Sequence, residues 1–213
     1  MLKRNQKKLF AALFLLAAFV LWTLAVKFID MKPIGPNNSS VGFAELNLFF
    51  HNLTGVHMNL YVITDWLGLV PIAFVFGFGL LGLFQLIKRK SIFKVDSDIL
   101  ILGGFYIVVM TVYLLFEYVV INYRPILING FLEASYPSST TMLVMCVMPT
   151  ALMQIKSRIK NKNLTMFLSL IIMAFILFMV IGRLISGVHW LSDIFGGALL
   201  SAGLVTFYSY FTK

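Results

Sequence analysis

Apolar residues fill six long stretches of the chain, at 9–29, 66–87, 99–121, 140–155, 164–185 and 190–211, with short polar segments between them. Each is long enough, or nearly so, to supply the ~20 residues with which a helix crosses a bilayer. Transmembrane strands would be roughly ten-residue segments of alternating polarity, and no stretch alternates in that way. The pattern predicts an all-α integral membrane protein, a six-transmembrane-helix bundle. With no linker, low-complexity stretch or internal repeat, 1–213 reads as one domain. Between the first two spans, Lys32, Pro33, Gly35, Pro36, Asn37 and Asn38 are loop and turn chemistry. From Gly42 onward Phe43, Leu46, Phe50 and Leu53 recur three or four apart, with Glu45, Asn47 and Asn52 among them. That spacing predicts a short extracytoplasmic amphipathic helix in the interface. Packing on the bundle is its plain use; guiding a lipid laterally into a site is the alternative.

Composition agrees, since 60% of the 213 residues are hydrophobic, against roughly 45–50% in soluble domains. Charge adds orientation. The net charge of +9 comes largely from Lys3, Arg4, Lys7 and Lys8 before the first span, Lys88, Arg89, Lys90 and Lys94 after the second, Lys156, Arg158, Lys160 and Lys162 after the fourth, and Lys213 at the end. In a six-span topology all four groups fall on one side, which the positive-inside rule makes cytoplasmic. A plasma-membrane protein with both termini inside is expected, its basicity reporting topology and attraction to anionic lipid rather than nucleic-acid binding. The single cysteine, Cys146, excludes an intrachain disulfide. The first apolar run is about twice a signal-peptide core and lacks a small-x-small cleavage site, so an uncleaved first span is expected. The eleven methionines are scattered and read as adaptable packing.

Ionisable residues beside hydrocarbon are functional candidates by default, and they gather around the turn between the last two spans, which contains Arg183, His189 and Asp193. If the last helix starts near Val188, His189 and Asp193 share a face four residues apart. The carboxylate then accepts the proton of one ring nitrogen and leaves the other free as a nucleophile. Arg183 is a planar cation suited to phosphate, and the set reads as phosphoryl transfer. Arg124 emerges on the same outer side, where Pro125 stops the third span. The segment Pro137-Ser138-Ser139-Thr140 has the makings of a helix start, whose free N–H groups with the hydroxyls of Ser138, Ser139 and Thr140 form an anion site; plain capping is the alternative. Asp65 reads as a helix cap, as does Asp96 or Asp98. His51 and His57 have no partner at metal-ligand spacing and read as ordinary interfacial histidines.

These residues carry a resemblance. Arg124-Pro125, then Pro137-Ser138, then Arg183 with His189 six and Asp193 ten residues later, resemble in order and spacing the three motifs of the type 2 phosphatidic acid phosphatase superfamily, the lipid phosphate phosphatases. The resemblance extends over nearly the whole chain. It implies that His189 attacks phosphorus to form a phosphohistidine, that Asp193 orients it, and that water resolves the intermediate. It also implies that Arg124, Arg183 and the Ser138 region hold the phosphate without a metal or other cofactor. Four positions depart from the motifs. Glu117 stands in place of a lysine, Ser139 in place of a glycine, Thr140 in place of a second histidine, and Gly182 in place of a serine.

Thr140 removes the family's general acid, a group worth about 10²–10⁴-fold in rate. Such a loss matters most for a poor leaving group. A departing phosphate needs little protonation, so a lipid diphosphate such as polyprenyl (undecaprenyl) diphosphate is the expected substrate, with Glu117 or Glu133 as possible proton donors if the pocket raises their pKa. Transfer of a lipid phosphoryl or phospho-headgroup to an acceptor other than water is a second reading. A non-catalytic binder of lipid phosphates is a third.

Overall fold

The structure is a computed structural model that describes residues 2–212, with side chains from Asn5 onward. Lys213 and the side chains of Lys3 and Arg4, counted above among the basic groups, lie outside the described residues. Eight α-helices occur among the described residues, and no named strand: α1 (Leu2–Phe28), α2 (Ala44–Thr54), α3 (Met58–Leu67), α4 (Leu69–Arg89), α5 (Ser97–Tyr118), α6 (Ser139–Arg158), α7 (Lys162–Ile185) and α8 (Leu191–Phe211).

Among the described residues, five helical stretches are long and apolar enough to cross a membrane: Asn5–Phe28, Met58–Arg89, Ser97–Tyr118, Lys162–Ile185 and Leu191–Phe211. Large side chains such as Phe10, Phe76 and Leu170 stand exposed on them, as expected where the solvent is lipid. The second stretch is longer than the expected 66–87. It joins α3 to α4 with a break at Gly68, because Pro71 has no N–H to give the carbonyl of Leu67 and its ring crowds that group. The stretch expected to be the fourth span differs in kind. α6 has 20 residues, enough for about 30 Å, but Thr140, Thr141, Thr150 and Gln154 dilute its apolarity. It packs against α4, α5, α7 and α8, and a helix surrounded by other helices needs no oily outer surface.

Small residues on α8 allow the close approach that membrane helices use. A Cβ added at Gly196 would lie 2.6 Å from the Tyr136 ring, and one at Gly203 2.8 Å from Leu16 of α1. α1 and α8 run antiparallel. Lys8 Nζ donates to the carbonyl of Ser209 at 2.5 Å, and Trp22 Nε1 to that of Ser192 at 3.2 Å. Gln154 near the end of α6 donates to Tyr208 Oη at 2.6 Å and to the Asp98 carbonyl at 3.3 Å. One end of the bundle therefore gathers the starts of α1 and α5 with the ends of α6 and α8. The opposite end gathers the starts of α6 and α8 with the ends of α5 and α7.

The amphipathic helix forms as α2, but its buried face is not its oily one. Ala44 and Asn47 are buried, whereas Leu46, Phe49 and Leu53 are exposed. Asn47 donates to Ser192 Oγ at 2.9 Å and accepts from Ser192 N at 3.1 Å. It thus satisfies a backbone donor at the start of α8, which has no partner within its own helix. Leu46, Leu48, Phe49 and Leu53 of α2 are left facing outward.

Candidate active site

The segment between α5 and α6 carries Arg124. The helix ends at Tyr118, six residues before the arginine, so Pro125 is not what stops it, contrary to the sequence expectation. The segment folds back on itself as a small antiparallel loop. Tyr123 bridges Ala134, and Ile128 bridges Phe131 across Asn129 and Gly130, both with positive φ. Asn-Gly between paired residues is a short-hairpin signal, because both central positions must be left-handed. This pairing sets Arg124 opposite Glu133, with Arg124 N donating to Glu133 O at 3.1 Å, and Asn122 opposite Ser135, with Ser135 N donating to Asn122 O at 2.9 Å.

The turn between α7 and α8 carries His189. Gly187 has φ +70°, and a Cβ there would meet the Gly55 carbonyl oxygen at 2.1 Å, so the turn after α2 is pressed directly onto it. His57 N donates to Ser186 O at 3.0 Å across the same contact. α8 begins at Leu191, later than the Val188 start on which the shared-face argument rested. His189 consequently lies outside the helix, and its Nδ1 is 4.0 Å from Asp193 Oδ2, too far for a hydrogen bond. The expected direct contact is replaced by a relay. Ser135 Oγ lies 3.0 Å from His189 Nδ1 and 2.5 Å from Asp193 Oδ2.

A carboxylate only accepts, so the Ser135 hydroxyl gives its proton to Asp193 and must accept from Nδ1–H. That leaves Nε2 with its lone pair, 3.5 Å from Arg124 Nη1. Asp193 is itself fixed by Trp190 N at 3.0 Å and Asn122 Nδ2 at 3.2 Å. His189 and Asp193 are 3% and 0% exposed. Burial, then the charges of Arg124 and Arg183, push the His189 pKa well below the ordinary imidazole value, with the Ser135 contact opposing them weakly. The ring is a neutral base at physiological pH, the form a nucleophile requires.

Arg183 is 2% exposed. Its Nη2 donates to Asp65 Oδ1 at 2.9 Å and to Thr140 Oγ1 at 2.6 Å, and its guanidinium stacks 4.9 Å from the centre of the Tyr61 ring. Nε and Nη1 have no partner among the described residues. Leaving a buried donor unmet costs about 1–3 kcal/mol, more when it is charged, so the two point to an anion. Asp65 does not cap a helix. It lies in the last turn of α3, and the packing of α3 on α7 delivers it to Arg183. Asp96, at the cap position of α5, likewise turns away, to Gln85 at 2.8 Å and Arg89 at 2.7 Å. α3 also accounts for Gly182. A Cβ there would come within 2.8 Å of Thr64 Cγ2, which leaves no room for the motif's serine.

Among the other candidates, Ser138 caps α6, its hydroxyl accepting from Thr141 N at 3.4 Å, and its own N donates to Asp193 O at 3.0 Å. Glu133 Oε2 pairs with Arg124 Nε at 3.0 Å, although the N–H points off the line of a good hydrogen bond. Glu117 is exposed and lines a small cavity with Tyr113, Ser135 and Ser139. Ser139 and Thr140 stand with Asp65 at the polar end of a cavity of about 450 Å³, whose walls are otherwise mainly apolar residues of α4, α5 and α6 such as Ile72, Val109 and Leu143. His57 Nε2 lies 2.8 Å from the Thr54 carbonyl, and His51 packs against Trp190. Three contributors escaped the sequence reading: Ser135, Asn122, and Asp65 as the partner of Arg183. The Asn129-Gly130 turn was the one local signal that places Asn122 opposite Ser135.

The family model described as PAP2 superfamily matches residues 104–213. Among solved structures, the chain is similar to the first transmembrane PAP2-type phosphatidylglycerolphosphate phosphatase from Bacillus subtilis. That match has a TM-score of 0.54 and 16% sequence identity, covering 93% of this chain and 94% of the other. No curated protein sequence matches significantly.

Proposed function

The chain belongs to the PAP2 superfamily, and we propose that it is a membrane-embedded, metal-independent phosphatase of lipid diphosphates, working through a phosphohistidine on His189. The observation that carries the reading is the buried imidazole: Nδ1 is tied through Ser135 to Asp193, and Nε2 is free beside Arg124. With its proton held at Nδ1, the ring attacks phosphorus through Nε2. Arg124 sits where it can hold the phosphoryl oxygens, and Arg183 has two further donors for them. The apolar cavity ending at Ser139 and Thr140 suits a lipid chain whose phosphate reaches the arginines. Thr140, bound to Arg183, is no proton donor of useful strength. A leaving phosphate, unlike an alkoxide, does not need one.

The site then opens on the extracytoplasmic side of the plasma membrane, with six spans and cytoplasmic termini. Two observations support that orientation: the start of α1 meets the end of α8, and Lys88–Lys94 and Lys156–Lys162 lie at the end opposite His189.

The test is phosphate release by purified protein from paired lipid mono- and diphosphates. Faster turnover of the diphosphate is expected, with loss of activity of about 10⁴-fold or more in His189→Ala. Thr140→His should raise turnover of the monophosphate specifically. Equal use of both substrates, or activity that survives the loss of His189, would overturn the reading.

A further inference from the structure

Resting on that reading, we infer that Asp65 is the general base that activates water in the second half-reaction, the hydrolysis of the phosphohistidine. In the first half-reaction Nε2 of His189 bonds to the terminal phosphorus, and the bridging P–O bond breaks, its electron pair leaving with the lipid monophosphate. That oxygen carries its charge without help. In the second, a water oxygen bonds to phosphorus, the N–P bond breaks, and its electron pair returns to Nε2. One proton of the water must go elsewhere. A good leaving group removes the need for an acid in the first step and does nothing for the second.

Few groups can take that proton. Thr140 presents only a hydroxyl. Both oxygens of Asp193 are engaged, by Asn122, Ser135 and Trp190 N. Glu133 is bound to Arg124 on the loop, and Glu117 faces a separate small cavity beside Tyr113 and Phe116. Asp65 is different on two counts. Its Oδ1 is 2.9 Å from the same Arg183 Nη2 that holds Thr140, so it stands beside the phosphate position. Its side chain is 60% exposed and lines the cavity together with Ser139 and Thr140, so the protein leaves it open to a water that enters with the headgroup. The second step is the one that lacks a proton acceptor, and a leaving phosphate asks for no acid in the first, which fits a preference for diphosphates.

The experiment is rapid-quench kinetics of full-length protein with a lipid diphosphate labelled with ³²P at its terminal phosphate, comparing wild type with Asp65→Asn. The amide oxygen can still accept from Arg183. The variant is expected to release one equivalent of lipid monophosphate in a burst and accumulate acid-labile label on His189. Its steady-state phosphate release should be about 10²–10³-fold slower. Hydroxylamine, which attacks phosphorus without a base, should restore turnover. If Asp65 only positions Arg183, the burst itself slows and no label accumulates; that result, or unchanged turnover, overturns the inference and leaves the phosphatase reading standing. A wild-type protein that never acquires label removes both.

Discussion

The two arginines of the site differ in how they are held. Arg183 is a helix residue, 3% exposed in its side chain and paired with a carboxylate from a helix 118 positions away, with two donors to spare. Arg124 is a loop residue, 11% exposed, paired with Glu133 across a two-residue turn, with its guanidinium against Nε2 of His189. The difference separates anchoring from aiming. A guanidinium locked by α3, Thr140 and the Tyr61 ring can bind a phosphate without reorganising. In the proposed mechanism, one on a hairpin, beside His189, can follow the phosphoryl group as the bond to Nε2 forms. Arg124 already holds Glu133, so there the substrate enters by competition, whereas Arg183 keeps Asp65 and offers its two free donors.

The strongest way to break this contrast is to remove each cation in turn. Arg183→Ala is expected to lower kcat/KM by about 10³-fold and Arg124→Ala by about 10²-fold, with KM carrying more of the Arg183 loss and kcat more of the Arg124 loss. Steady-state kinetics on a lipid diphosphate decides it. Identical patterns for the two variants would mean that the arginines act as one clamp.

A smaller effect sharpens the comparison through pH. Both cations favour neutral His189, Arg124 the more strongly, so the acid limb of kcat/KM should lie well below 6.5 in the wild type. Arg124→Gln should move it toward higher pH further than Arg183→Gln does, because less repulsion lets the ring protonate sooner. The same displacement sets a stability window. Below the unfolded value of about 6.5 the unfolded ring binds a proton that the folded ring does not, so His189 contributes stability above that pH and loses it as pH falls. Limbs that stay put in both variants would show that burial alone sets the shift.

Least is expected from freeing Arg124 alone. Glu133 is 42% exposed, and such a pair is worth about 0–1 kcal/mol. Glu133→Gln should therefore lower KM by at most about five-fold and leave kcat unchanged. A large fall in kcat would instead assign Glu133 a role in proton transfer.

Much of the fold was legible because apolar length is a local property. The turn chemistry at 32–40, the short helix from Ala44 and the helix start capped by Ser138 could be read where they stand. The spacing of Arg183, His189 and Asp193, with Arg124 and Pro137-Ser138, marked side chains that the fold brings together. The misreadings share a cause. Asp65 looked like a cap because its partner is remote in sequence. The four-residue spacing makes Asp193 a direct partner of His189 only within one continuous helix, whereas α8 starts later and Ser135 enters the gap. α6 looked like any other span because a window of residues does not reveal which helix the others enclose.

Sequence by itself determined the class of the protein, the positions of its long helices and the identity of the imidazole and guanidinium groups, since hydrophobicity, turn preference and charge belong to each residue wherever it lies. Only the tertiary structure decided which hydroxyl joins Asp193 to His189, which carboxylate sits on Arg183 and why Gly182 has no side chain. Those depend on how α3, α7, α8 and the Asn129-Gly130 loop are packed to within a few ångströms, and hydrogen bonds and steric contacts vanish over that distance.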